Sequence, residues 1–245
     1  MSFRPKAVIA SSLSWLAMVW LLASCSTVGP QNAGSESSAD AKAVEKGAWH
    51  DVPLPGKTRT EYRWERLAGQ RELVARADGS ASAFRRLVRR APDKLGDVEF
   101  GWWAQALPEG ADISEAGKTD AAARVMFAFD GDASRLSPKV RAQSDLARML
   151  TGEALPYATL VYVWDATAPV GTVITHPRND RIRKIVVESG HGSLKQWRRY
   201  RRSLVADYQR AFGEPPGPLM AVAVMTDGDN TNSRLVSRYS DIEFR

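Results

Sequence analysis

The chain has 245 residues, 34 Lys and Arg against 28 Asp and Glu for a net charge of +6, three histidines and a single cysteine. One cysteine excludes an internal disulfide, and no His-x-x-His or comparable ligand pair supports zinc chemistry. Setting aside Arg4 and Lys6 of the leader leaves 32 basic and 28 acidic residues, a mild excess that does not ask for nucleic acid as a partner.

The chain opens with Arg4 and Lys6 followed by an uncharged stretch from Ala7 to Ser24, the layout of a secretory signal peptide. Ser11, Ser12 and Ser14 dilute it below what a membrane span of about 20 apolar residues requires. It ends in Leu22-Ala23-Ser24-Cys25, which resembles the lipobox cut just before a lipid-modified cysteine. Residues 1–24 are therefore expected to be a lipoprotein signal peptide, and Cys25 the acylated residue. By resemblance to Gram-negative lipoproteins, Ser26 in the following position implies the outer membrane, facing the periplasm, where nucleic acid is not an expected partner. Residues 25–47, rich in Ser, Ala, Gly and Gln, have the composition of a flexible tether, and residues 48–245 that of one folded domain.

Within that domain, short segments of alternating or continuous apolar character predict strands at Tyr62–Leu67, Glu72–Ala77, Val98–Leu107, Arg124–Asp130, Ala158–Asp165, Gly171–Thr175, Ile182–Glu188, Leu219–Thr226 and Tyr239–Phe244. Phe84–Arg90, where Phe84, Leu87 and Val88 also suit a helix, is read as a strand from its setting between strands. Turn residues separate them, among them Asp78-Gly79, Ser189-Gly190 and Asp227-Gly228. A first helix is predicted from the Ser137 cap and Pro138 to the Gly152 stop, with Val140, Leu146, Met149 and Leu150 as its apolar residues. A second is predicted over Ser193–Phe212, where Leu194, Trp197, Tyr200, Leu204, Tyr208 and Phe212 recur at helical spacing. Many strands without regular strand-helix alternation predict a mostly-β, antiparallel sandwich with two helices inserted.

Three stretches resemble domain-of-unknown-function family 3047, a bacterial family of exported proteins. They are Phe100-Gly-Trp-Trp-Ala-Gln through Asp120-Ala-Ala-Ala-Arg124; Tyr162-Val-Trp164 through Asn179-Asp180 to Val186-Val-Glu-Ser-Gly190; and Trp197 through Asp207-Tyr208 to Met225-Thr-Asp227-Gly-Asp229-Asn-Thr231 and Tyr239-Ser-Asp241. Thr119 stands where the pattern carries a second acidic residue, and Gly228 where it carries a hydroxyl. The family has no established activity, so the resemblance implies fold and compartment. It also looks similar to the jelly-roll sandwiches of carbohydrate-binding modules, a fold-level analogy.

Asp227, Asp229 and Asn230 offer the oxygen ligands a hard cation such as calcium takes, and equally suit a polar turn between strands. Asp120 and Arg124 flank a strand entrance and either join them or simply pair with each other. Trp102, Trp103, Tyr162, Trp164 and Tyr239 lie on predicted strands and, with Asp120, Arg124, Asp229 and Asn230, form a candidate glycan platform, each aromatic having core packing as its alternative. Neighbours on a strand point to opposite faces, so one of Trp102 and Trp103 faces the core and the other does not. His50, His176 and His191 have no serine partner in a nucleophile-elbow setting. Two arginine clusters, Arg85-Arg86-Arg89-Arg90 and Arg198-Arg199-Arg201-Arg202, form either a solvated surface or a contact for anionic envelope components. Three functions stay open: a non-catalytic binder of polysaccharide or another envelope component, a glycan hydrolase or lyase using Asp120, Asp227, Asp229 or Asp241, and a structural protein binding a protein partner.

Overall fold

The computed structural model describes residues 48–245. The expected signal peptide, Cys25 and the expected tether lie outside the described residues. In chain order the strands are β1 (Trp49–Pro53), β2 (Glu61–Leu67), β3 (Gln70–Asp78), β4 (Ser82–Arg90), β5 (Asp97–Ala104), β6 (Ala121–Phe129), β7 (Ala158–Asp165), β8 (Val173–Thr175), β9 (Ile182–Ser189), β10 (Arg198–Ser203), β11 (Leu219–Asp227), β12 (Arg234–Tyr239) and β13 (Glu243–Phe244). Helix α1 (Pro138–Thr151) joins β6 to β7, and α2 (Leu204–Phe212) follows β10. A seven-stranded sheet runs β1-β4-β11-β6-β7-β9-β8 and a six-stranded sheet has β10-β5-β12-β3-β2, with β13 added on β5.

The protein is thus a two-sheet β-sandwich with two helices, as its strand pattern predicts. One pair departs from the antiparallel rule: β7 and β9 run parallel from Thr159↔Ile182 to Asp165↔Ser189. The intervening β8 is short and pairs antiparallel on the far side of β9, so the chain crosses back before β9 enters the sheet.

Period-two alternation selects the buried layer. Leu73 and Ala75 of β3, Phe100 and Trp102 of β5, Val125, Phe127 and Phe129 of β6, Tyr162 and Trp164 of β7, Val222 and Val224 of β11 and Tyr239 of β12 form one cluster between the sheets. Aromatic rings bridge the two layers. Phe100 stacks on Tyr162 with centroids 5.4 Å apart, and Trp102 on Trp164 at 6.3 Å. Residues pointing the other way from the seven-stranded sheet, including Ala83, Met126, Ala128, Val161, Ala221, Ala223 and Met225, form a second buried cluster. Among the described residues, the strands and all three clusters fall between residues 49 and 244.

The predicted helix over Ser193–Phe212 is corrected. Its first half is β10, which pairs antiparallel with β5 from Arg198↔Trp102 to Ser203↔Asp97, and the helix starts only at Leu204. Ser203 is the cap, accepting from the Ala206 amide, and Gly213 closes the helix in the left-handed conformation. Helical spacing misleads there because Trp197 and Tyr200 belong to the strand while Leu204 and Tyr208 belong to the helix. Four arginines on an outermost strand also suit its position, since charge discourages edge-to-edge pairing. Helix α1 has the predicted Ser137 cap and Gly152 stop, but its buried face is Val140, Ser144 and Ala147; Leu146, Met149 and Leu150 are exposed.

Candidate functional site

Two regions gather the residues with chemical potential: an ionic clasp at one end of the seven-stranded sheet and a cleft on the outside of the six-stranded sheet.

The clasp is built on β6 and β11. A register shift between Met225 and Asp227 places Asp227 opposite Ala121, while Arg124 lies opposite Met225. The Asp227 Oδ1 accepts from the Ala121 amide at 2.9 Å and from Arg124 Nη1, and Arg124 Nη2 donates to the Thr119 carbonyl. Arg124 is fully buried. Asp120 holds the turn after β11, accepting from the Thr231 amide and hydroxyl, each at 2.8 Å, and from the Asn230 amide at 3.3 Å. Asp229 pairs with Lys57 and accepts from Asn230 Nδ2 at 3.0 Å. Gly228 is required in this turn, because a Cβ there would stand 2.6 Å from the Ser233 carbonyl oxygen.

Asp120, Asp227 and Asp229 therefore do converge, with oxygens within 4.8 Å of one another. Arg124 and Lys57 already neutralise part of that charge, and the Asp120 oxygens are met by backbone and hydroxyl donors. A calcium ion would have to compete with two cations for the same oxygens, and the Asn230 carbonyl oxygen is turned to the Thr119 hydroxyl at 3.3 Å. Burial pushes the Asp227 carboxyl up to about 6, with Asp120 adding to the rise and Arg124 opposing it. Lys184, fully buried and donating to the Ile113 carbonyl at 2.6 Å, is pushed down to about 7 by burial and by the Arg124 charge. His176 is pushed to about 3, by burial first and then by Lys184 and Arg124, so it is neutral and a poor base at physiological pH. His50 accepts from Arg85 Nε at 3.1 Å, and burial lowers it too.

The expected aromatic platform is corrected. Trp102, Tyr162, Trp164 and Tyr239 are all fully buried between the sheets and offer no face to a ligand. Three of their polar tips are used internally: Tyr162 donates to Asp207 at 2.7 Å, Trp164 Nε1 to the Gly190 carbonyl at 3.0 Å and Tyr239 to the Met225 carbonyl at 2.9 Å. Trp103 is the outward member of its pair, half-buried on the six-stranded sheet beneath the Arg238 guanidinium at 4.5 Å. It does not join the clasp, which involves the other sheet. Asp241 accepts from Arg86 at 3.3 Å, at the rim of the cleft.

The cleft has a volume of about 710 Å³ and opens where β12 ends, lined by Gln70, Arg71, Glu72, Trp197, Arg199 and Asp241 among others. Trp197 is half-buried on the approach to β10. Most of the clustered arginines are already engaged. Arg198 pairs with Glu188 at 3.0 Å, Arg201 with Asp97 at 2.8 Å and Arg202 with Asp207 at 2.6 Å, while Arg85 meets Glu153 and Arg86 meets Asp241, each at 3.3 Å. Among the described residues, no acidic side chain pairs with Arg199. Trp197 and Glu72 were not singled out from the sequence as ligand residues, and Arg199 was named there only within a cluster open to an anionic contact. The signal that could have found Trp197 and set Arg199 apart is the run Trp197-Arg-Arg-Tyr-Arg-Arg202, which as an edge strand alternates outward residues with the inward Tyr200.

By class the chain is a mostly-β sandwich with an open cleft on its six-stranded sheet. The family described as Protein of unknown function (DUF3047) matches residues 47–243, and the chain belongs to it. No curated protein matches. Among solved structures the chain is similar to the family 11 carbohydrate-binding module of cellulase Lic26A-Cel5E of Clostridium thermocellum, at 8% identity, covering 79% of this chain and 85% of that one with a TM-score of 0.39. It is also similar to a cellulase derived from Cel12A of Rhodothermus marinus, at 12% identity, 81% and 99% coverage and a TM-score of 0.37. The xyloglucanase domain of NopAA from Sinorhizobium fredii gives 5% identity, 82% and 100% coverage and a TM-score of 0.38. At these scores the likenesses carry no argument about chemistry.

Proposed function

We propose that the domain is a non-catalytic binder of polysaccharide or a similar envelope polymer, held at the periplasmic face of the outer membrane by a lipid on Cys25. The observation that carries the binding is the cleft, which combines one indole with amide, guanidinium and carboxylate groups. Sugar rings present apolar C–H faces to an indole and ring hydroxyls to planar polar groups, so this mixture suits them. The clasp supports the non-catalytic side. Its three carboxylates are tied to Arg124, Lys57 and the turn they close, so these three are engaged in holding the fold rather than offered as the carboxylate pair that glycoside hydrolysis needs.

Affinity electrophoresis of residues 48–245 in gels containing soluble polysaccharides tests the binding. Retardation is expected in at least one gel, and Trp197→Ala should weaken it about tenfold, the loss of one stacked ring and its buried area. Trp103→Ala, outside the cleft lining, should leave retardation unchanged. No retardation in any gel, or equal losses in both variants, would sink the proposal.

The anchor is tested separately. In cells fed labelled palmitate, Cys25→Ala is expected to abolish incorporation and to move the protein out of the outer-membrane fraction, since stable attachment needs more than one acyl chain and no second cysteine exists. Undiminished labelling would refute acylation at this residue.

A further inference from the structure

We infer that the cleft takes a sugar bearing an anionic substituent, with the Arg199 guanidinium holding the anionic group, Trp197 supporting the ring and Glu72 accepting from a ring hydroxyl. This rests on the polysaccharide reading of the same cleft and narrows it to acidic glycans.

Three observations carry it. Arg199 is the exception among its cluster: Arg198, Arg201 and Arg202 each end on a carboxylate, whereas Arg199 is exposed and, among the described residues, meets none. Its position is built rather than incidental. Arg199 lies opposite Gly101 in the β10–β5 register, and a Cβ on Gly101 would come within 3.3 Å of the Arg199 Cγ and 3.4 Å of the Ser240 hydroxyl. The missing side chain thus lets the arginine stem lie across β5 toward the cleft. A planar guanidinium pairs bidentately with carboxylate or phosphate oxygens.

The third observation is Glu72. Its side chain is 9% exposed, its Oε2 accepts no hydrogen bond, and the nearest cation, Arg238 Nη1, stands 3.7 Å away. A buried carboxylate oxygen without a donor is costly, and a donor arriving from the cleft relieves that cost. A neutral hydroxyl fits this role. Glu99, Asp241 and Glu243 also line the cleft, each with an arginine within 3.3 Å, so Glu72 is the lining carboxylate that repels an anionic group and orients an acidic sugar with its charge toward Arg199.

A carboxylate of a uronic acid and a phosphate ester present the same chemistry to a guanidinium, and the probes separate them. Residues 48–245 and the variants Arg199→Ala and Glu72→Ala are titrated by calorimetry with polygalacturonate, phosphomannan and neutral dextran at fixed ionic strength. Arg148→Ala, on exposed α1 outside the cleft, controls for diffuse charge. Binding of either acidic polymer should be about tenfold weaker in Arg199→Ala, the loss of one charge-assisted pair, with Arg148→Ala unchanged. Which acidic polymer binds names the source of the anion. Glu72→Ala should weaken the same polymer, with far-UV dichroism confirming that each variant is folded. Dextran bound as tightly as the acidic polymers, with Arg199→Ala unaffected, overturns the acidic preference and leaves the polysaccharide reading standing. Equal losses in Arg199→Ala and Arg148→Ala overturn it as diffuse charge. Failure to bind any of the three, where other neutral glycans are bound in the gels, overturns the inference alone; failure in both experiments removes the polysaccharide reading with it.

Discussion

Arg124→Ala is expected to lower the unfolding free energy of residues 48–245 by about 3–5 kcal/mol, a large share of what a domain this size has. The loss is not the value of the ion pair itself. Arg124 and Asp227 are both buried, and removing the guanidinium leaves the Asp227 charge uncompensated and the Thr119 carbonyl without its donor. The pH dependence distinguishes this cause from a simple cavity. Burial already holds the folded Asp227 carboxyl up at about 6, above its unfolded value, and Arg124 is the group pulling it down. Without Arg124 the folded carboxyl rises further. A carboxyl raised on folding binds its proton preferentially in the folded state, so the stability it contributes is present at low pH and lost as pH rises through the folded value. The deficit of the variant should therefore be greatest near pH 8 and shrink toward pH 5. Urea unfolding at both pH values, with unchanged m, measures it. A deficit independent of pH would show that Asp227 is not the charge left behind. The double variant Arg124→Ala with Asp227→Asn should lose less than the sum of the two single changes, because the asparagine still accepts from the Ala121 amide without a charge to strand.

The convergence on Arg124 was legible in the chain because Asp120 and Arg124 flank one strand entrance and Asp227 to Thr231 close another, and turn chemistry brings strand ends together. The strand Ala158–Asp165 was legible to the residue, since a continuous apolar run between turn residues has one reading in a sandwich. What alternation cannot give is which sheet face a residue occupies once both faces are buried. The seven-stranded sheet packs apolar residues on both sides, so nothing in its sequence separates Tyr162, facing between the sheets, from Val161, facing away. The segment before α2 was misread for a different reason. Trp197, Tyr200 and Leu204 keep helical spacing across a strand-to-helix junction, and the Ser203 cap that marks the true start is overshadowed by that periodicity. That error hid the cleft, because Trp197 then counted as part of a core-facing stripe and Arg199 as one charge among four. The correction moves the ligand-facing indole from β5 to the approach of β10.

Trp102→Ala tests that relocation and should cost about 3–5 kcal/mol, the range for emptying a buried aromatic site. Trp102 is fully buried and meets Phe100 and Tyr200 at centroid separations of 5.3 Å each and Trp164 at 6.3 Å, so its removal opens a cavity at the junction of the two sheets. These neighbours lie on three strands, β5, β7 and β10, and strands held by their ladders collapse poorly into a void, which places the cost toward the upper end. Trp197→Ala should change stability by about 1 kcal/mol or less, because its ring is half-buried at a cleft rather than enclosed. Thermal unfolding of the two variants beside the gel-retardation measurement separates the roles cleanly. The core role of Trp102 requires a large drop in melting temperature, with binding lost only in proportion to unfolded protein. The ligand role of Trp197 requires the reverse, a near-native melting temperature with binding lost. If Trp102→Ala melted like the wild type and lost glycan binding, the indole would be reaching ligand, and the assignment of binding to the outer cleft rather than to the sheet interior would fall.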